Sequence, residues 1–145
     1  MEYESLLKNP KRAEEIKKKI GKRRQENKLN YYKPYDFQER FHADGSQANQ
    51  RLLMAANRVG KSYVGAMKMS IHLTGEYPKW WRGKKFDEPI RAWVCGASNE
   101  TTRDICQKEL FGQPDNPRDR GQGSIPKHLI GESTRKPGVP NAHSS

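Results

Sequence analysis

Leu52-Leu53-Met54-Ala55-Ala56-Asn57-Arg58-Val59-Gly60-Lys61-Ser62-Tyr63-Val64-Gly65-Ala66-Met67 is the stretch on which the expected fold turns. Residues 50–56 hold a short apolar run ahead of a glycine-containing loop, and such a run reads as a buried strand. Residues 57–60 form the loop. Residues 61–74 read as a helix with Val64, Met67 and Ile71 on one stripe, stopped by Gly75 and Pro78. Residues 55–62 fit the phosphate-loop template except at its first glycine, which is Ala55 here. The template's residue types follow from its chemistry. Backbone N–H groups must turn inward to cradle phosphate oxygens, so Ala56, Asn57, Val59 and Gly60 are read with Ala55 and Arg58 as a nucleotide cradle. Gly60 allows close approach, Lys61 supplies charge to the β and γ phosphates, and Ser62 supplies a hydroxyl for Mg²⁺. The positive end of the following helix faces the same anion. Ala55 departs from glycine in requiring a negative φ.

Arg58 has two readings. It either contacts the γ-phosphate from within the loop or braces the loop against a neighbouring acid.

Downstream, residues 90–96 read as a second strand, and Ser98 or Asn99 caps a helix running to Leu110. Strand, loop, helix, strand, helix implies a parallel sheet with crossover helices. The expected fold class is therefore α/β, a partial P-loop NTPase fold preceded by a basic helical N-terminal arm. Three regions are expected: a basic helical arm over 1–34, an incomplete P-loop ATPase core over 35–112, and an irregular, weakly ordered tail over 113–145. In the arm, Ala13, Ile16 and Ile20 recur at helical spacing within residues 4–28, Pro10 suits a helix start and Gly21 weakens the middle. Pro34 breaks the chain, after which Asp36 can cap a short helix over residues 37–43.

Charge suits either an anionic partner or simply a soluble basic surface. The 145 residues carry 28 Lys/Arg against 17 Asp/Glu, a net of +11, which suits DNA, RNA or nucleotide. Eleven of the cations lie in residues 1–34, so the arm either lies on DNA, docks on a partner or is a solvated helix. Trp80 and Trp81 stand among Arg82, Lys84 and Lys85, a mixture that suits nucleic acid, but two tryptophans more simply cover a small core. Cys95 and Cys106 match no metal or redox spacing and are read as reduced packing residues. The four histidines show no ligand spacing. No secretory signal or membrane-length apolar run is present, so a soluble cytoplasmic protein is expected.

Several blocks together resemble a known family. Tyr35-Asp36-Phe37-Gln38 with Phe41-His42, then residues 55–62, look like the opening of a tailed-bacteriophage DNA-packaging terminase large subunit. Arg91-Ala92-Trp93-Val94-Cys95-Gly96-Ala97-Ser98, Arg103-Asp104, Leu110-Phe111-Gly112, Gly123-Ser124-Ile125-Pro126 and Arg135-Lys136-Pro137-Gly138-Val139-Pro140-Asn141-Ala142 are similar too. The resemblance covers roughly residues 25–142; His143-Ser144-Ser145 looks unrelated to it. It implies an N-terminal ATPase of α/β fold and a C-terminal metal-dependent nuclease, working on ATP with Mg²⁺ to drive viral double-stranded DNA into a capsid. It also implies a small subunit and a portal as partners, oligomerisation only within a full-length motor, and the host cytoplasm as the place of action. By resemblance Gln38 matches an adenine-recognition glutamine, and Tyr35 stacks on or near the base.

One requirement of catalysis is not visible. A P-loop ATPase needs a strand-end acid to hold Mg²⁺ and a carboxylate to orient water. After residue 112 the acids are Asp115, Asp119 and Glu132, and none follows an apolar run. The nuclease carboxylates are absent as well, so the chain reads as a truncated or interrupted large subunit. Two alternatives remain: a small basic DNA-binding or adaptor protein with a vestigial loop, and a fragment of another P-loop enzyme such as a helicase or kinase.

Overall fold

The computed structural model describes residues 10–132, 134–135, 137–138 and 140–144. Helix α1 spans Pro10–Glu26; the expected helical positions 4–9 lie outside the described residues. None of its residues is buried, and Ile16 and Ile20 remain exposed. Arg23 and Arg24 occupy its last turn, where cations complement the helix dipole. A 3-10 turn, Leu29–Tyr31, then brings Leu29 and Tyr32 into the core.

Helix α2 is Asp36–Ala43. Its N-cap is Tyr35 rather than Asp36, one residue earlier than expected. The cause is Gln38, whose side-chain oxygen accepts from the Tyr35 N–H at 3.1 Å and so satisfies a helix-end donor.

Helix α3, Lys61–Thr74, organises the molecule. Gly60 before it and Gly75 after it both have left-handed backbones, and Gly75 N–H closes the last turn on the Ile71 carbonyl at 3.0 Å. Val64, Met67 and Ile71, the stripe read from the sequence, are fully buried. They pack with Leu29, Tyr32 and Trp81, and with the half-buried Phe41, Leu53, Tyr77 and Trp80. A different face of α3 carries Ala66 to a second cluster with Leu110 and Ile125. Each fully buried aliphatic side chain stabilises by about 1.5–3 kcal/mol, so a helix with two apolar faces holds both clusters together. Trp81 is buried and its indole N–H donates to the Lys84 carbonyl at 3.1 Å; the two tryptophans do cover the core.

The helix over residues 99–111 has three consecutive pieces: α4 Asn99–Thr101, a π-helical stretch Thr102–Gln107, and α5 Lys108–Phe111. Ser98 caps it, its hydroxyl accepting from Thr101 N–H at 3.1 Å. At the other end, the carbonyls of Glu109, Leu110 and Phe111 accept from the N–H groups of Ser124, Ile125 and Gly121. The 121–126 segment thus satisfies the helix C-terminus and buries Ser124, Ile125 and Pro126.

The expected parallel sheet with crossover helices does not form, and the α/β, partial P-loop NTPase reading of the fold is overturned. Residues 50–56 and 90–96 are irregular. Among the described residues the strand pairing is antiparallel, β1 Thr134–Arg135 with β2 His143–Ser144; the rest is helix, turn and irregular chain. The reason is physical. Both segments keep a period-two alternation of exposure: Leu53, Val94 and Ala92 are half-buried, while Leu52, Met54 and Trp93 are exposed. Alternation makes a segment suitable for a strand, but a strand exists only with a hydrogen-bonded neighbour. Among the described residues neither segment makes a backbone ladder bond to another.

Candidate functional site

The phosphate-loop sequence sits between the irregular residues 50–56 and the start of α3. Two of its residues have left-handed backbones: Arg58 with φ 63 and Gly60 with φ 84. The second position suits glycine. The first places an arginine where a non-glycine residue costs about 1–2 kcal/mol, so the surrounding turn must hold it. Lys61 is the first residue of α3. Its ammonium donates to the carbonyls of Ala55 at 2.8 Å and Ala56 at 2.6 Å. An ammonium has three hydrogens, so one remains for another acceptor. Val64 N–H bonds the Gly60 carbonyl at 2.9 Å, closing the first helical turn. No acidic residue stands in that turn, which leaves the positive helix end uncompensated and suited to an anion.

Gln38 is the residue that the fold brings to this loop. It is only 2% exposed. Its amide nitrogen lies 3.5 Å from the Val59 carbonyl, at the outer limit of a hydrogen bond, and a Cβ at Gly60 would meet that nitrogen at 3.2 Å. Tyr35, by contrast, is 70% exposed and its ring stacks on Phe37, with centroids 6.3 Å apart. The Tyr35–Gln38 block and the phosphate loop are therefore joined through Gln38. Arg58 and Ser62 are exposed. Among the described residues no carboxylate pairs with Arg58, so the bracing reading finds no acid.

The sequence missed the support behind Gln38. The Tyr32 hydroxyl lies 3.4 Å from Gln38 Oε1 and 3.0 Å from His42 Nε2. His42 is fully buried, and its Nδ1 has no hydrogen-bond partner among the described residues. Burial, the cations of Lys68 and Arg51, and then His72 push its pKa down to about 3. The ring is therefore neutral near neutral pH and packs against Trp80 and Trp81. Burial likewise takes His72 down to about 4 and Lys68 to about 8. The available signal was spacing: Gln38 and His42 stand at i and i+4 on one face of α2.

The acids do not assemble a metal site. Asp115 accepts from the Asn141 amide at 2.8 Å, and Asp119 from the Gln122 amide at 3.1 Å. Among the described residues no group of three or more His, Cys, Asp or Glu could hold an ion. This donor set fits Mg²⁺ only as a metal arriving on nucleotide phosphates. Ser62 would contribute a hydroxyl, and phosphate oxygens and water would fill the remaining positions.

Residues 58–61 thus bring together two left-handed residues, a lysine at the helix start and a helix N-terminus with no acid in its first turn. Comparison with known proteins gives the family. The family described as terminase large subunit, T4likevirus-type, N-terminal matches residues 52–145. The terminase large subunit of Salmonella phage P22 is 34% identical over 158 aligned positions, covering 97% of this chain and 32% of that protein. The chain belongs to the terminase large subunit family. It spans about a third of the length of the curated relative it matches. The family match reaches Ser145, so the last three residues fall within it, while Tyr35 and Gln38 precede its start at Leu52. No solved structure matches the chain. No helix among the described residues is long and apolar enough to cross a membrane.

Proposed function

We propose that this chain binds ATP with Mg²⁺ through residues 55–62, as the nucleotide-binding part of a motor that packages viral DNA into a capsid. The observation that carries the reading is Lys61. It starts α3 with two of its three hydrogens on its own loop and one left for a phosphate oxygen. The backbone N–H groups of 56–62 and the α3 N-terminus supply the rest of the cradle, Ser62 the metal contact, and Arg58 a guanidinium for the γ-phosphate. Gln38, already against Val59, has one amide hydrogen left to donate to a base, and Tyr35 presents an exposed ring beside it. Family membership supports viral double-stranded DNA, the small subunit and the portal as partners, assembly within a full-length motor, and action in the host cytoplasm. The test is competition of ATP for a labelled nucleotide. Lys61→Ala is expected to weaken binding on the order of a hundredfold, as loss of a charge–phosphate contact does. Equal binding by wild type and variant would overturn the reading.

A further inference from the structure

Away from the phosphate loop, the end of α1 and the loop after α3 enclose a cleft of about 900 Å³. No residue of 55–62 lines it. Its walls combine the aromatic rings of Tyr31, Tyr77 and Trp80 with the cations of Arg24, Lys33 and Lys79. Tyr31 is half exposed, and the Arg24 guanidinium sits over its ring at 5.3 Å from the centroid. Trp80 is held edge-on by Tyr32 at 5.8 Å. The Tyr77 hydroxyl accepts from Phe86 N–H at 2.9 Å and meets His72 Nδ1 at 3.2 Å. Trp80 and Tyr77 are therefore held before any ligand arrives, while Tyr31 presents an exposed ring. Glu39 and Glu76 also line the cleft, leaving cations in excess. A second cleft of about 420 Å³ adjoins the first, shares Asn30 and Tyr31 with it, and adds Arg23 together with Lys127, which pairs with Glu26 at 3.3 Å in the same wall.

We infer that these two clefts form a track for single-stranded nucleic acid, in which unstacked bases lie on Tyr31 and its neighbouring rings while the cations follow the phosphates. Aromatic faces bind any base that has left its stack, and positive side chains track the backbone without reading sequence. Two features select a strand over its alternatives. A mononucleotide fills one cleft, whereas successive nucleotides fill two that meet at one shared tyrosine. A duplex keeps its bases stacked and offers nothing to ring faces inside a cleft. An acidic peptide satisfies the cations but not the rings. The inference shares with the proposed function only the premise that this chain handles nucleic acid, and the site is separate from the phosphate loop.

The experiment measures fluorescence anisotropy of a labelled oligothymidine of about ten nucleotides, alone and as a duplex of equal length, with the full chain. The single strand is expected to bind more tightly, with affinity falling as salt rises. Tyr31→Ala is expected to weaken the strand about tenfold, one lost stacking contact, whereas Tyr31→Phe keeps it. Lys79→Gln is expected to reduce the salt dependence. Tyr31→Ala must leave ATP binding unchanged. Equal or tighter duplex binding overturns the inference, as does wild-type affinity in Tyr31→Ala. So does displacement of the strand by ATP with ATP binding weakened in Tyr31→Ala, since the cleft would then be the base pocket of the nucleotide site. Because ATP and strand binding are read separately, failure of one leaves the other standing.

Discussion

At the residue scale, Gln38 serves two ends with one amide. Its oxygen accepts from Tyr35 N–H, and its nitrogen reaches Val59 in the loop. A glutamine that only braces the loop contributes equally to every nucleotide; one that also reads adenine contributes to ATP alone. The expected outcome is that wild type prefers ATP to GTP and that Gln38→Ala weakens both while erasing most of the preference. Competition of the two nucleotides for one labelled ligand checks it; an unchanged ratio in the variant would leave Gln38 as a brace only. His42 behind it gives a second expectation. Its pKa is about 3 in the folded chain against 6.5 for the free side chain. Between those values the unfolded chain binds more protons than the folded one, so stability is full above about pH 6.5 and declines as pH falls towards 3. His72, lowered to about 4, acts in the same sense. Urea midpoints are expected to drop as pH falls through 6 and 5, and less steeply in His42→Gln. A midpoint flat across that range would contradict the burial of a neutral ring.

At the scale of elements, what was legible in the sequence was local. The stripe Val64, Met67, Ile71 and the stop at Gly75 depend on spacing within α3 and its end, and the structure has them where the periodicity puts them. The loop's turn at 57–60 is likewise a matter of neighbouring residues. The strands failed because pairing is not local. The alternation in 52–54 and 92–94 is real in the exposure pattern, yet no sequence window contains the partner backbone that a ladder requires. The contact of Gln38 with Val59 crosses 21 positions and was not legible in the sequence; the family pattern implied only an adenine role for Gln38. The burial of His42 rests on Trp81 and on the chain at Gly83, where a Cβ would overlap the His42 carbonyl; in the sequence only its i, i+4 spacing from Gln38 points that way.

At the scale of the whole molecule, the described residues assemble no metal-holding acid cluster, and that has a consequence for activity. Holding phosphates equally in the ground and transition states does not speed hydrolysis. Acceleration needs an oriented water and a firmly held Mg²⁺, and two-metal nuclease chemistry needs converging carboxylates. Asp115 and Asp119 are instead engaged by Asn141 and Gln122. This chain by itself is expected to release phosphate no faster than its Lys61→Ala variant and to leave plasmid DNA uncut with Mg²⁺ or Mn²⁺. ATP turnover that disappears in Lys61→Ala would show that the described residues do assemble a catalytic site.

The central claim, that nucleotide binds at residues 55–62, is tested most directly by hydrogen exchange along the chain with and without Mg–ATP. Phosphate oxygens on the loop amides slow their exchange. The account predicts protection concentrated in 56–62 and the first turn of α3, absent in Lys61→Ala. No protection there, or protection confined to the cleft around Tyr31 and Trp80, would contradict it.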